Sequence, residues 1–190
     1  MKYKAHQIIS IMAETDKNYA AYYDVIPNLI KERGYKTGIE IGVFAGGHAE
    51  RILNSGIDKL YGVDPYKMYN PGMPGLESQE DWNLLHDFVM LRLKGENYIH
   101  YRYESNTAFN MLKNKLFDFV FIDGLHTYEQ LKQDLENYNP LVKKGGIIAC
   151  HDYAHPYFPE LTTCINEFSV KHNTDIVACP LHLIYMEKTW

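Results

Sequence analysis

The sequence predicts a three-layer α/β fold built on one mostly parallel sheet. Three observations lead there. Short apolar runs alternate with helix-period segments along most of the chain. The first run ends in a glycine-rich turn, Glu40-Ile41-Gly42-Val43-Phe44-Ala45-Gly46-Gly47, that opens a helix. The last two runs are separated only by Cys179-Pro180-Leu181, short enough for an antiparallel pair on the sheet edge.

The elements follow in order. Residues 1–33 read as one or two helices, with Ile8, Ile9, Ile11 and Met12 followed by Tyr22, Tyr23, Ile26, Leu29 and Ile30; Pro27 marks a break or kink. Thr37 to Ile41 is a buried strand, the helix after its turn runs to about Leu53, and Leu60 to Val63 is a second strand closed by Asp64-Pro65. Residues 65–77, PYKMYNPGMPGLE, form a long loop of the kind often used as a lid. A helix over Gln79–Lys94 follows, capped by Ser78 with Asp81. Tyr98–Tyr103 is a strand, Asn106–Asn114 a short helix, and Phe117–Ile122 a strongly apolar strand. Thr127 and Gln130 fit a capping box for a helix whose buried face carries Tyr128, Leu131, Leu135 and Tyr138. Gly145-Gly146 leads into the strand Ile147–Cys150, then a helix over Pro159–Lys171 and strands at Asp175–Ala178 and His182–Met186.

Composition narrows the function. With 190 residues, 46% of them apolar, the chain suits one domain over 1–190, with residues 1–33 as an N-terminal helical extension. The formal charge is −5 and no basic block is present, which argues against a nucleic-acid partner. No apolar run approaches the roughly 18 to 20 residues that cross a bilayer, and the first residues lack a signal-peptide pattern, so no membrane partner and a cytoplasmic location are expected. Cys150, Cys164 and Cys179 match neither a redox CxxC nor a zinc cluster and read as buried thiols. The N-terminal helices leave a homo-oligomer open without compelling one.

Three groups of residues carry chemistry. Glycines after the first strand let backbone approach a ligand at the crevice of an open sheet, but Phe44 breaks the GxGxxG spacing and His48 stands where a P-loop needs Lys. Glu40 beside that turn suits a cationic or hydroxyl-bearing ligand better than a pyrophosphate. Asp64, at the end of the second strand, is placed to accept from ribose hydroxyls, and Ser105 after the third strand either contacts a base or caps the next helix. The third group is Asp123-Gly124-Leu125-His126 with His151-Asp152-Tyr153. Parallel neighbours bring Asp123, His151 and Asp152 together as ligands for one divalent ion such as Mg2+, with His126 as a general base toward substrate. Tyr153, His155, Tyr157 and Phe158, with Tyr66, Met68, Tyr69 and Met73, are available to wall a cleft.

The motif order resembles the class I S-adenosylmethionine-dependent methyltransferases from about Thr37 to Met186. The resemblance runs through EIGVFAGG, YGVDPY, FDFVFIDGLHTYE and GGIIACHDY; the FIDGxHxYE and HDY segments are similar to small bacterial O-methyltransferases of sugar, antibiotic and surface-glycan pathways. It implies a Rossmann-like, seven-stranded sheet with the last strand antiparallel and S-adenosyl-L-methionine as cofactor. Glu40, Gly42 and Gly46 would form the amino-acid end of the cofactor site, Asp64 would bind ribose and Ser105 would lie near adenine. Asp123, His151 and Asp152 occupy the metal-ligand places of catechol-type relatives, and His126, three residues beyond Asp123, the place of their base. The implied activity is transfer of the sulfonium methyl to a hydroxyl of a small molecule or sugar, assisted by a divalent metal. An NAD-linked oxidoreductase, or a cofactor-binding protein without turnover, is the alternative.

Overall fold

A computed structural model describes residues 2–69 and 73–190. The order is α1 (Lys2–Tyr23), α2 (Val25–Arg33), β1 (Thr37–Ile41), α3 (Gly47–Leu53), β2 (Lys59–Val63), α4 (Gln79–Arg92), β3 (Tyr98–Tyr101), α5 (Ser105–Leu112), β4 (Phe117–Ile122), α6 (Tyr128–Tyr138), β5 (Val142–Cys150), α7 (Pro159–His172), β6 (Val177–Ala178) and β7 (Ile184–Glu187). The two N-terminal helices part at Asp24, and Pro27 sits in the first turn of α2, where its missing N–H is not needed.

The seven strands run in the order β3-β2-β1-β4-β5-β7-β6. β1 to β5 pair in parallel, and β7 is antiparallel to both β5 and β6. The terminal pair therefore joins the sheet through its second strand. The long β7 lies inside, and the exposed two-residue β6 takes the edge. β5 also begins earlier than the apolar run suggests, because Val142 pairs with Phe117 before the register shifts and resumes at Ile147 opposite Phe119.

Each face of the sheet is covered. Phe119 and Phe121 of β4 pack with α1 to α4, while Val120 and Ile122 pack with α5 to α7, the period-two alternation of a central strand. Ile8, Tyr22, Tyr23, Ile26 and Ile30 belong to the first of these layers, so α1 and α2 lie against the sheet itself. α4 starts with the expected box: Ser78 accepts from the Asp81 amide at 3.2 Å, and the Asp81 carboxylate accepts from the Ser78 amide at 3.0 Å. Among the described residues, no helix is long and apolar enough to cross a membrane.

Candidate active site at the C-terminal ends of the strands

The turn after β1 is fixed by its neighbours. Gly42 has φ +87° and Gly46 +76°, and Phe44 also takes a positive φ, +45°. A Cβ on Gly42 would run into the Asp123 carbonyl, and one on Gly46 would lie 2.9 Å from Val89 Cγ1. These two glycines therefore let the turn press against β4 and α4; the space a side chain would fill holds protein.

Asp64 braces the same turn. One carboxylate oxygen accepts from the amides of Val43 at 3.0 Å and Phe44 at 2.9 Å, and the other from Tyr66 at 2.8 Å. Burial pushes this carboxyl up, against the amides of Phe44, Tyr66 and Val43, which favour its charged form. Of about four acceptor positions on a carboxylate, one remains for a ligand. Tyr66 is fully buried and its hydroxyl donates to the Phe44 carbonyl at 2.8 Å, so it locks the turn from behind instead of walling a cleft. Met68 and Tyr69 are exposed, and residues 70–72 of that loop lie outside the described residues.

Glu40 is 1% exposed, and its Oε1 lies 3.0 Å from Nδ1 of buried His48 on α3. Burial pushes the Glu40 carboxyl up, and His48 opposes the shift. Glu40 Oε2 and His48 Nε2 have no hydrogen-bond partner among the described residues. An unpaired buried carboxylate oxygen is costly and calls for a donor beyond those that the described residues supply.

At the ends of β4 and β5 the expected residues converge in a modified arrangement. His126 Nε2 lies 2.9 Å from Asp152 Oδ2 and 3.4 Å from Asp123 Oδ1. Burial would lower the His126 pKa, but the hydrogen bonds that the ring donates to Asp123 and Asp152 outweigh it and hold the imidazole up at about 10. His151 Nδ1 lies 3.3 Å from Asp152 and 3.6 Å from Asp123. Burial works to raise the Asp152 carboxyl, yet His126 and His151 keep it well below the usual carboxylate range. Asp152 itself has φ +61°, a left-handed conformation that Asp tolerates and that turns its carboxylate toward both rings.

The ligand atoms that gather within 4.8 Å are those of Asp123, His126 and Asp152. His126, expected as the base, thus takes a place in the triad that the sequence gave to His151. Two carboxylates and an imidazole fit a divalent ion, with more affinity for Mn2+ or Zn2+ than an all-oxygen site would have.

Ser105 starts α5, but its hydroxyl turns toward α6. Gln130 Nε2 donates to Ser105 Oγ and to Asp134 Oδ1, each at 3.0 Å, and Ser105 also hydrogen-bonds Asp134. Gln130 thereby leaves the capping box half closed: Thr127 accepts from the Gln130 amide, while the Gln130 side chain is used elsewhere. Asp134 is 1% exposed and lies behind Gly124, in a recess shared with Asp123 and His126. Burial pushes its carboxyl up to about 6, with Ser105 and Gln130 opposing. A carboxyl raised on folding binds its proton more tightly in the native state, so stability declines as pH rises from about 4 to about 6. Asp134→Asn is expected to remove that decline and to be the more stable protein at pH 8 by about 2 kcal/mol. Urea unfolding at pH 4.5 and pH 8 measures it; an unchanged difference between the two pH values would refute it.

Sequence reasoning passed over two further contributors. Tyr22 of α1 has its ring 4.6 Å from that of His151 and 5.4 Å from that of His48. Arg92 of α4 donates to the Ala45 carbonyl at 3.2 Å and pairs with Glu50 at 2.6 Å and Asp16 at 2.9 Å, tying α1 to the glycine turn.

Comparisons with known proteins agree with this frame. A family model described as a methyltransferase domain matches residues 39–153, from β1 to the end of the Asp152 segment. The uncharacterized protein R132 of Acanthamoeba polyphaga mimivirus is 29% identical over 159 residues, which are 80% of this chain and 68% of that protein. Among solved structures, the O-methyltransferase NovP superposes with a TM-score of 0.67 at 17% identity, covering 88% of this chain and 78% of that one. An O-methyltransferase from Bacillus cereus, solved with SAH, gives 0.65 at 11% identity, covering 98% and 91%. CalS11, a TDP-rhamnose 3'-O-methyltransferase, gives 0.62 at 14% identity, covering 98% and 93%. With more than half its length matched and its seven-stranded sheet superposing on theirs, the chain belongs to the methyltransferase domain family and has the class I S-adenosylmethionine-dependent methyltransferase fold.

Proposed function

We propose that the protein transfers the methyl group of S-adenosylmethionine to a hydroxyl of a small molecule or sugar. The observation that carries this reading is Glu40: a buried carboxylate with one oxygen that has no partner among the described residues, beside the glycine turn at the ligand crevice of the sheet. The residues fit the cofactor. Glu40 Oε2 is an acceptor for its ammonium, the remaining acceptor position of Asp64 suits a ribose hydroxyl, and Gly42 and Gly46 shape the turn that holds both. Ser105 would serve the adenine end through its backbone at the start of α5, since its hydroxyl is engaged by Gln130.

Bound there, S-adenosylmethionine would supply an electrophilic sulfonium methyl for the acceptor oxygen and would leave as the neutral thioether. The chain's task is to hold the acceptor hydroxyl in line and accept its proton. Asp123, His126 and Asp152 do this as one hydrogen-bonded unit. A divalent ion held by the same three would lower the hydroxyl's pKa instead. His126 Nε2 faces both carboxylates and carries a proton there, so the two carboxylates are the proton acceptors in one version, and that nitrogen would be a ligand in the other only after giving its proton up. CalS11 acts on TDP-rhamnose by its description, which favours a glycosyl hydroxyl as one acceptor to test.

Calorimetric titration with S-adenosylmethionine, S-adenosylhomocysteine and NAD separates the readings. Binding of the first two and not of NAD is expected; saturable NAD binding without either sulfur nucleoside would overturn the proposal. Glu40→Gln is expected to weaken S-adenosylhomocysteine about thirtyfold, since a buried charge partner is worth about 2 kcal/mol or more. An unchanged Kd would remove Glu40 from the cofactor site.

A further inference from the structure

Glu40 and His48 join the two sides of the glycine turn. Glu40 belongs to β1 and His48 to the first turn of α3, so the 3.0 Å contact between Oε1 and Nδ1 bridges the turn from strand to helix. At that distance the contact is a hydrogen bond, which needs a hydrogen on one of the two atoms. Both side chains are buried, and Glu40 Oε2 and His48 Nε2 stay without a partner among the described residues.

The surroundings fix how many protons the pair keeps. Phe121 of β4 meets the His48 ring edge-on at 4.4 Å, and Tyr22 and Tyr23 of α1 lie 5.4 and 5.6 Å from it. Burial pushes both phenols up and does the same to Tyr66 and Tyr98, on which the Glu40 charge also acts, so all four are neutral. His151 of β5 packs on Tyr22, and its Nδ1 faces Asp123 and Asp152. Asp16 of α1 sits against Gly47, where Arg92 of α4 balances it, and Arg92 also pairs with Glu50 of α3. On Glu40 itself, burial favours the protonated carboxyl, as do the charges of Asp123 and Asp64, while His48 opposes them. A carboxylate beside a neutral imidazole would therefore be a buried negative charge in the company of two acids. One more proton makes the pair neutral, either as carboxylate with imidazolium or as carboxylic acid with imidazole, and in both forms Nε2 carries a hydrogen.

We propose that His48 is a positioning residue that keeps Glu40 available as a charge: the pair stores one proton, which rests on the imidazole when the cofactor's ammonium occupies Glu40 Oε2, so that binding neither releases nor takes up a proton. The proton shifts along the Oε1–Nδ1 contact, from oxygen to nitrogen, and nothing leaves the protein. The inference rests on reading Glu40 as the acceptor for that ammonium. Its consequence is an affinity independent of pH near neutrality, although the acceptor is a buried acid. Without the imidazole, Glu40 would hold the proton itself and have to give it to water at every binding event.

The test is calorimetric titration of the full chain with S-adenosylhomocysteine between about pH 6 and 7.5, below the range in which the ligand's own ammonium titrates. Two buffers of different ionisation enthalpy at each pH count the protons exchanged. Wild type is expected to exchange none and to keep its Kd within about twofold across the range. In His48→Gln the amide can still meet Oε1 but cannot carry charge, and a buried Glu without a counter-charge titrates above neutrality. Binding to that variant should release about one proton, with Kd tightening about tenfold for each pH unit raised. Adding Glu40→Gln to His48→Gln should abolish the dependence and so locate the proton on residue 40. Uptake or release of about one proton by wild type overturns the proposal, as does a pH slope that survives in the double variant. A loss of affinity in His48→Gln that is equal at every pH overturns it too, because His48 would then be shaping the turn only. If His48→Gln fails to fold, His48→Asn replaces it, and the wild-type proton count stands as a test by itself. Failure of wild type to bind S-adenosylhomocysteine at any pH is instead the failure of the proposed function.

Discussion

Asp152→Asn is expected to slow methyl transfer about a thousandfold while leaving the Kd for S-adenosylhomocysteine unchanged. The substitution is nearly isosteric, and Asn tolerates the left-handed backbone that residue 152 adopts, so the turn should survive. What is lost is charge. Asp152 reaches His126 at 2.9 Å and His151 at 3.3 Å, and its ionised form is the one the two rings hold. An amide there deprives the acceptor hydroxyl of half the negative charge that draws off its proton, and deprives a divalent ion of a carboxylate ligand. The measurement is S-adenosylhomocysteine release with an acceptor that wild type turns over, run with Mg2+, with Mn2+ and with chelator. Undiminished turnover in the variant would take Asp152 out of the chemistry. Equal wild-type rates in all three media would take the ion out of it.

The second large effect is on stability. Gly42→Ala is expected to cost about 3 kcal/mol, strain and overlap together. Its backbone sits at φ +87°, and the new methyl would collide with the Asp123 carbonyl, one residue past the strand that pairs with β1. Relief would require breaking local pairing: the Gly42 amide donates to Val63 at 2.9 Å, and the Asp123 amide to Ile41 at 2.8 Å. Gly145→Ala is the control. It has a similar φ, +81°, but a Cβ there meets nothing within 4 Å, so only the backbone strain of about 1 kcal/mol should appear. Urea unfolding of both variants decides the matter. Equal losses would mean that the close approach of the turn to β4 has no energetic weight.

Much of this architecture was legible because local patterns and tertiary structure agree. Phe117–Ile122 is an apolar run flanked by turns, and it is the central strand; Ser78 and Asp81 have the cap spacing, and both hydrogen bonds form. The parallel order implied by alternating elements is also what brings Asp123 and Asp152 to one place, since Ile122 pairs with Cys150. Other features depend on contacts between distant segments. The start of β5 is Val142-Lys143-Lys144-Gly145-Gly146, a string that reads as a connection and becomes strand through its neighbours. Nothing in the last two runs says which of them touches β5. His126, ahead of His151, joins Asp123 and Asp152 in the cluster that could hold an ion because the loop after β4 folds it back over Asp152, a matter of a few ångströms. One signal was present and unread: Leu131, Asp134, Leu135 and Tyr138 form an i, i+3, i+4, i+7 stripe, and a carboxylate in such a stripe announces a buried polar network.

The position of β7 has a consequence for how the chain is made. A ribosome delivers β1 to β5 first, and these can pair among themselves, but the outer edge of β5 has no neighbour until Ile184–Glu187 emerges. Throughout synthesis of α7 and β6, the nascent protein therefore carries the apolar Ile147–Cys150 backbone as an open template for another chain. A chain stalled before residue 184 would be left in that adhesive state, which makes chaperone capture of such truncations the cellular signature of this strand order.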